Sequence, residues 1–183
     1  MIRLSHVNYA YPGKQVFSDL NVTLQDRGAY ALMAPSGAGK TTLLRLISGL
    51  TAPQGGTVEG LENKRISFLF QEDRLLPWRT ALENAALAAD RDQALQWLAN
   101  MEITDLNAYP RELSGGMQRR LALARAMAFG GDVLLLDEPF KGLDEALRAR
   151  IADKIRGVFP LTVLSVHDPE EAALMGAEII RLG

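Results

Sequence analysis

Four short apolar runs divide the chain, and a polar segment follows each of them. The runs are residues 29–33, 66–70, 133–136 and 161–166. Continuous apolar runs of this length, separated by segments of helical character, are typical of strands that are buried on both faces of a mainly parallel sheet. The pattern therefore predicts an α/β fold built around one central sheet.

The residues that follow these runs predict a common site. Residues 34–42 follow the first run, Gln71 the second, the pair Asp137 and Glu138 the third, and His167 the fourth. Ligands of such sheets bind beyond the carboxyl ends of the strands, so all four sets are expected at one edge. Taken singly, Gln71 or His167 is more readily explained as a polar residue at an exposed strand end. Their joint placement is what favours a site.

The segment after the first run has the composition of a phosphate-binding loop, and a helix is predicted after it over residues 43–50. Small residues let successive backbone N–H groups surround phosphate oxygens, a lysine meets the β- and γ-phosphates, and a hydroxyl holds Mg²⁺. Lys40 and Thr41 supply these two side chains, and the helix N-terminus adds partial positive charge. The segment consists of Ala34, Pro35, Ser36, Gly37, Ala38, Gly39, Lys40, Thr41 and Thr42. The alternative is a glycine-rich turn that carries an exposed lysine.

Ala34 departs from the usual pattern, because such a loop ordinarily begins with glycine. A Cβ atom makes left-handed backbone conformations costly, and alanine has one. We therefore expect a negative φ at Ala34.

Asp137 and Glu138 are adjacent at the end of a predicted strand, so their side chains point in different directions and cannot do the same job. One carboxylate can assist Mg²⁺, directly or through water, and the other can accept a hydrogen bond from an attacking water as its base. We assign the metal to Asp137, which directly follows the buried run, and the base to Glu138. The alternative is a strand end with two solvated acids.

A second candidate anion site lies at the N-terminus of the helix that is predicted from residue 114 to about residue 129. Ser114 is placed as its N-cap. Gly115 and Gly116 would cost on the order of 1 kcal/mol each in helical geometry, which makes sense where a ligand approaches the backbone closely. Only one Asp-Glu pair, Asp137 and Glu138, follows a predicted strand, whereas there are two candidate anion sites. Either the second site binds something else, or one nucleotide is shared between two chains.

Residues 72–113, between Gln71 and Ser114, are predicted to form a small inserted helical lobe. Residues 80–83 resemble a capping box, and residues 90–101 carry apolar residues at helical spacing. The apolar cluster at residues 75–78 is either local packing or a docking surface. Near the end of the chain, Asp168 is expected to cap a helix that precedes a last strand over residues 178–182.

Composition bounds the class of protein. A chain of 183 residues with average apolar and charged content predicts one compact unit over residues 1–183. The net charge of −2 lacks the basic footprint of a nucleic-acid partner, so none is expected. The absence of cysteine fits a reducing compartment. No secretion signal is evident and no run approaches the roughly 20 apolar residues of a membrane span, so we expect a soluble, cytoplasmic protein.

Together these motifs resemble the nucleotide-binding subunit of an ATP-binding cassette (ABC) transporter over nearly the whole chain. Residues 34–41 correspond to the Walker A loop, and Gln71 corresponds to the Q-loop. Residues 113–118 correspond to the signature motif, and residues 133–138 to the Walker B strand. Residues 142–144 correspond to the D-loop, and His167 to the switch histidine. Tyr11 is similar to the A-loop aromatic residue that stacks on adenine in this family, although a tyrosine that closes a strand can equally serve packing.

The resemblance implies a P-loop NTPase core with a mainly parallel sheet, an N-terminal antiparallel β part and the small helical lobe. It also implies a head-to-tail dimer, with a homodimer expected in preference to a heterodimer. Two ATP molecules would lie in it, each between the Walker A loop of one chain and the region of Ser114, Gly115 and Gly116 of the other. Such a dimer would account for both anion sites.

The resemblance assigns a role to each site residue. Lys40 would neutralise phosphate charge, Glu138 would polarise water for in-line attack, and His167 would contact the γ-phosphate. Three residues would serve Mg²⁺: Thr41, Gln71 and Asp137.

Residues 71–78, Gln-Glu-Asp-Arg-Leu-Leu-Pro-Trp, look like the nitrate, sulfonate and taurine uptake branch of the family. There, this region and the lobe receive a short cytoplasmic helix of an integral membrane permease. The expectation is an ATP-hydrolysing importer subunit, peripheral on the inner face of the cell membrane. One alternative is a soluble ABC ATPase that performs non-transport mechanical work. Another is a nucleotide-gated binding module without useful turnover, against which Glu138 and His167 argue.

Overall fold

The structure is a computed structural model, and it describes residues 1–182. Its strands are β1 (Ile2–Tyr11), β2 (Lys14–Leu24), β3 (Gly28–Met33), β4 (Gly55–Glu59), β5 (Ile66–Leu69), β6 (Val133–Asp137), β7 (Leu161–Val166) and β8 (Glu178–Arg181). Its helices are α1 (Lys40–Ile47), α2 (Ala81–Ala85), α3 (Arg91–Asn100), α4 (Gly115–Phe129), α5 (Glu145–Ile155) and α6 (Pro169–Leu174), with 3₁₀ turns at Ala86–Ala88 and Pro110–Glu112. None of these helices is long and apolar enough to cross a lipid bilayer.

The central sheet has five strands in the order β5-β6-β7-β3-β8, and every neighbouring pair is parallel. All residues of β6 and β7 are buried, as expected of strands that are covered on both faces. The four predicted strands are confirmed, and their carboxyl ends lie along one edge of the sheet. The last predicted strand also joins this sheet, and it ends at Arg181 rather than at residue 182.

The N-terminal part of the chain forms a second sheet. Strands β2, β1 and β4 lie side by side and pair antiparallel. Buried side chains of this sheet, such as Leu4 and Phe17, belong to one hydrophobic core with Leu43 of α1 and Leu135 of β6. Because α1 and both sheets share this core, the segment between β3 and α1 is held in place at both of its ends.

The opposite face of the central sheet is covered by α4, α5 and the helices between residues 72 and 113. Thr80 caps α2 as predicted: its hydroxyl accepts the Glu83 N–H at 3.3 Å, and the Glu83 carboxylate accepts the Thr80 N–H at 2.8 Å. Asp90 caps α3 with a single hydrogen bond, in which its carboxylate accepts the Gln93 N–H at 2.8 Å. The buried Leu98 of α3 belongs to the same core as α4. The division into a main body and an inserted lobe at residues 72–113 stays a prediction.

The helix after the predicted phosphate loop differs from expectation at both ends. It begins at Lys40, not at residue 43, so the helix starts directly out of the loop. It ends at Ile47, not at residue 50, because Gly49 adopts a φ of 72°, a left-handed conformation in which glycine terminates helices. The earlier start brings the helix N-terminus to the loop itself.

Strand β5 ends one residue earlier than the apolar run predicts. The run includes Phe70, but the strand stops at Leu69. The Phe70 carbonyl accepts a hydrogen bond from the Arg119 guanidinium at 2.7 Å, so a side chain from α4 replaces strand pairing at this point.

Candidate functional site

A cleft of about 310 Å³ opens beyond the carboxyl ends of β3, β5 and β6. Residues predicted for the site from separate parts of the sequence line it together. They are Tyr11, Ser36, Gly37, Gly39, Lys40, Thr41, Thr42, Gln71 and Glu138. Lys14 and Val16, which were not predicted, complete the lining. The expected convergence at one edge of the sheet is therefore present in the folded chain.

The loop between β3 and α1 folds back on itself. The buried Lys40 donates from Nζ to the Ala34 carbonyl at 2.6 Å, and the Ala38 N–H donates to the Pro35 carbonyl at 3.2 Å. As expected, Ala34 is not among the described residues with positive φ. Gly39 has a φ of 101°, and a Cβ atom there would lie 2.6 Å from Val16. This position therefore requires glycine.

Asp137 is held by two hydroxyl groups. Thr41 donates from Oγ1 to Asp137 Oδ2 at 2.7 Å, and Ser165 donates from Oγ to Asp137 Oδ1 at 2.7 Å. The residue is only 2% exposed. The carboxylate is therefore fixed beside the first turn of α1.

The oxygen atoms of Thr41 and Asp137 fit a magnesium ion. Mg²⁺ prefers oxygen ligands, binds through one or two protein groups, and completes its shell with water and substrate phosphates. The hydroxyl and carboxylate oxygens are adjacent, and the amide of Gln71 lines the same cleft. No group of three His, Cys, Asp or Glu side chains that could hold a metal occurs within residues 1–182.

Glu138 points away from Asp137 and into the cleft. Its carboxylate oxygen Oε1 lies 2.9 Å from His167 Nε2, and Lys141 Nζ lies 3.8 Å from the other oxygen. The side chain is 14% exposed. The adjacent acids therefore face different partners, with one carboxylate against the Thr41 hydroxyl and the other against an imidazole.

The His167 backbone is anchored from the helix that follows it. Asp168 caps α6, and the Glu171 carboxylate accepts the His167 N–H at 3.3 Å. Burial raises the pKa of Glu171 above its usual range. Arg148 of α5 lies 3.5 Å from carboxylate oxygens of both Asp168 and Glu171.

Tyr11 lies at the mouth of the cleft. Its hydroxyl is 3.2 Å from Thr42 Oγ1, and this hydrogen bond lowers the pKa of Tyr11. The Tyr9 ring meets the Tyr11 ring edge-on with centroids 5.2 Å apart, and desolvation raises the pKa of Tyr9. The Tyr11 ring therefore has a neighbour on one side and is 39% exposed overall.

The second predicted anion site does not line this cleft. Ser114 caps α4 as expected, because its hydroxyl accepts the Met117 N–H at 3.3 Å. An added Cβ at Gly115 would meet no atom within 4 Å, whereas one at Gly116 would lie 3.3 Å from the Gly142 carbonyl. The start of α4 thus presents exposed backbone outside the lining of this cleft.

The sequence matches the ABC transporter family over residues 17–141. The chain belongs to this family. It is 40% identical to the aliphatic sulfonates import ATP-binding protein SsuB 1 of Rhodococcus jostii (strain RHA1), over 96% of this chain and 76% of that protein. It is 35% identical to the taurine import ATP-binding protein TauB of Pseudomonas putida, over 100% of this chain and 78% of that protein.

This ABC protein also resembles solved structures in its fold. The dimeric structure of MJ0796, a bacterial ABC transporter cassette, matches with a TM-score of 0.89 at 29% identity, over 100% of this chain and 94% of that chain. A dimeric post-hydrolysis state of MJ0796 bound to ADP and Pi matches with a TM-score of 0.88 at 28% identity and the same coverage. The predicted P-loop NTPase type of α/β fold is confirmed.

Three polar residues at the site of this ABC protein were missed by the sequence reasoning: Lys14, Arg119 and Ser165. The available signals were two hydroxyl residues inside the run 161–166, Thr162 and Ser165, and a lone arginine among the buried residues of α4. A polar group in such apolar surroundings requires a partner. Lys14 is exposed and carries no comparable signal, although its Nζ donates to the Gly37 carbonyl at 2.9 Å.

Proposed function

We propose that this chain is the ATP-hydrolysing subunit of an ABC importer. It couples MgATP-driven closing of a dimer, and its reopening after hydrolysis, to solute transport by a membrane permease. The observation that carries the proposal is the meeting of Thr41 with Asp137 and of Glu138 with His167 at one rim of the sheet. The importer names of the relatives do not favour the alternative, a soluble ABC ATPase that performs mechanical work outside transport.

The phosphate loop and the start of α1 bind the triphosphate. Backbone N–H groups and the helix N-terminus attract the anion, and Lys40 adds a full positive charge. The exposed ring of Tyr11 stacks on adenine at the mouth of the cleft. Thr41, Asp137 and Gln71 would hold Mg²⁺, and the ion would supply positive charge that offsets the charge of the triphosphate.

Glu138 acts as the base in hydrolysis. A water oxygen attacks the γ-phosphorus in line, the bond to the bridging oxygen breaks, and ADP leaves. The Glu138 carboxylate accepts the proton of that water and later releases it to solvent. His167, with Nε2 at 2.9 Å from the same carboxylate, is placed to contact a γ-phosphate oxygen.

Replacing Glu138 with glutamine tests the assignment. Glu138→Gln keeps the side-chain volume and removes the basic oxygen, so it should retain ATP binding and lose turnover by at least about a hundredfold. Phosphate release measures turnover, and titration with ATP under the same conditions measures binding. Glu62→Gln, at an exposed glutamate between β4 and β5, is the control and should leave both unchanged. Unimpaired hydrolysis by Glu138→Gln would refute the base.

A second groove, which lies beside β5, is the proposed permease site. It has a volume of about 350 Å³ and lies between β5, the 3₁₀ turn after α2, and α4. Its apolar lining includes Leu50, Phe68, Phe70, Leu87, Ala126 and Phe129. Leu50 and Leu87 are 61% and 52% exposed. Exposed apolar side chains gathered in a groove favour a protein partner, and a short cytoplasmic helix of the permease would cover them.

Three arginines give this groove its charge. The Arg74 guanidinium lies 3.9 Å from the centre of the Phe70 ring, and that of Arg65 lies 4.2 Å from the centre of the Phe129 ring. Arg125 also lines the groove. The permease helix that fits this surface therefore carries apolar side chains together with at least one carboxylate.

The sequence left open whether the cluster at residues 75–78 serves local packing or forms a docking surface, and its residues differ in this respect. Leu75 is partly buried against the main core, whereas Trp78 is 69% exposed. A contact of the permease with the region from Gln71 to Trp78 stays part of the proposal. Because of its burial, Leu75 is a poor site for a test that must leave the fold intact.

Two variants test the permease contact separately. Leu87→Asp places a charge in the groove, and Trp78→Ala removes the exposed ring in the loop before α2. Each should reduce recovery of the chain with a co-expressed permease in mild detergent while leaving ATP hydrolysis by the purified chain unchanged. Val158→Asp alters an equally exposed apolar residue after α5 and is the control. Undiminished recovery of Leu87→Asp would exclude the groove, and undiminished recovery of Trp78→Ala would exclude the loop.

A further inference from the structure

Glu138 has an unusual backbone for a residue with a defined task. Its φ is 52°, in the left-handed region that residues other than glycine rarely adopt. Such a conformation persists only where surrounding contacts hold it, and it is concentrated at functional sites. The backbone φ sets the direction in which a side chain leaves the chain. The direction of the Glu138 carboxylate, which differs from that of Asp137, therefore depends on this φ.

Two buried side chains, which belong to different elements, form hydrogen bonds with the peptide groups of Glu138. The Glu138 N–H donates to Ser165 Oγ of β7 at 2.9 Å, and Nη2 of Arg119 on α4 donates to the Glu138 carbonyl at 2.9 Å. Arg119 Nη2 also donates to the Asp137 carbonyl. Ser165 is 0% exposed and Arg119 is 3% exposed, so water does not compete for these contacts.

The other end of the same guanidinium holds the segment that begins with Gln71. Arg119 Nη1 donates to the Phe70 carbonyl at 2.7 Å and to Asp73 Oδ1 at 2.8 Å. A planar guanidinium can engage two such groups at once, whereas an ammonium cannot reproduce its fork. One side chain of α4 therefore joins the two segments that carry Gln71 and Glu138.

We propose that Arg119 is a positioning residue for Glu138, which it holds in the left-handed conformation so that the carboxylate faces the cleft and His167. The inference rests on the proposed function, because it concerns the base of ATP hydrolysis. Arg119 itself does not line the cleft. It acts on the reaction through Glu138.

Arg119→Lys is the main test. It keeps the buried positive charge opposite Asp73 and removes the fork. A misplaced base slows chemistry, so kcat should fall by on the order of tenfold to a hundredfold, while the dissociation constant for ATP stays within about twofold. Arg120→Lys, at the next residue of α4, is the matched control. Arg120 binds the carbonyls of Met101 and Glu102 instead, and its variant should hydrolyse ATP at the rate of the unmodified chain.

The same substitution in a Glu138→Gln background separates positioning from general stability. Residues that act through one another are not additive, so Arg119→Lys should not lower the slow residual hydrolysis of Glu138→Gln further. Arg119→Met, whose folding is checked by thermal unfolding, should behave alike with a larger loss of kcat.

An equal loss in both backgrounds, a loss confined to ATP affinity, or an unchanged kcat in Arg119→Lys would each overturn the inference. These results leave the ATPase assignment standing if the unmodified chain hydrolyses ATP. A lack of hydrolysis by the unmodified chain would overturn both.

Discussion

Lys14 gives the phosphate loop a second cation that the loop motif does not contain. Its Nζ lies 2.9 Å from the Gly37 carbonyl. Among the described residues that line the cleft, Lys14 and Lys40 are the basic ones. Lys40 is buried and held within the loop, whereas Lys14 reaches the loop from the start of β2 and remains exposed. Exposed charges contribute less than buried ones, so the effect of Lys14 on an anionic ligand should be modest.

Lys14→Met should weaken ATP binding by about two- to fivefold, in proportion to an exposed charge interaction. Because the interaction is electrostatic, the difference between variant and unmodified chain should shrink at high salt and be absent for adenosine. Titration with ATP and adenosine at two salt concentrations measures this. Lys154→Met on the exposed face of α5 is the control for loss of one positive charge. Equal weakening for adenosine would show that Lys14 acts on the shape of the cleft instead.

At the residue scale, local order along the sequence predicted most of the residues that line the cleft, but not Lys14 and Val16. Adjacency of Asp137 and Glu138 implied two directions, and the structure has them facing Thr41 and His167. The left-handed φ of Glu138 could not be predicted. It is held by Ser165, 27 residues away in sequence, and only the folded chain brings that hydroxyl to the Glu138 N–H.

At the scale of elements, the buried parallel strands were predictable. A strand that is covered on both faces is apolar throughout, without alternating apolar and polar residues, so it appears in the sequence as a continuous apolar run. Strands β1 and β2 gave no such signal. Their pairing is interrupted by irregular positions, where His6 and Asp19 adopt φ values of 52° and 59°. The side chains of Asn8 and Asn21 bond to the backbone of these two residues. Bulges of this kind break the two-residue period from which a half-exposed strand is recognised.

At the scale of the whole molecule, the two predicted anion sites of one chain do not line the same cleft. The phosphate loop lines the cleft, and Ser114, Gly115 and Gly116 lie outside it. Two predicted anion sites left open whether one nucleotide is shared between two chains, and the resemblance to the family implied that it is. How two chains sit together could not be derived from one sequence, since packing between copies depends on surface shape. The dimer with nucleotide between two copies is therefore a proposal that one further experiment can decide.

Ser114 offers a substitution that separates charge from folding. Asp and Asn are both good helix N-caps, so Ser114→Asp and Ser114→Asn should each keep α4 intact. Asp adds a negative charge where a phosphate of the partner's ATP would approach, so Ser114→Asp should lose ATP hydrolysis and ATP-dependent dimerisation. Ser114→Asn should keep much of both. Sedimentation velocity with ATP, in a Glu138→Gln background that prevents turnover, measures the dimer.

Mixing two inactive variants tests the head-to-tail arrangement. Lys40→Ala damages the phosphate loop, and Ser114→Asp damages the opposing helix start. In a head-to-tail dimer, a mixed pair has one site with both defects and one site with neither, so the mixture should hydrolyse ATP although each variant alone does not. A chain carrying both substitutions, mixed with Lys40→Ala, cannot form an intact site and is the control. If the first mixture stays as inactive as the control, both halves of each site come from the same chain, and the shared nucleotide is excluded.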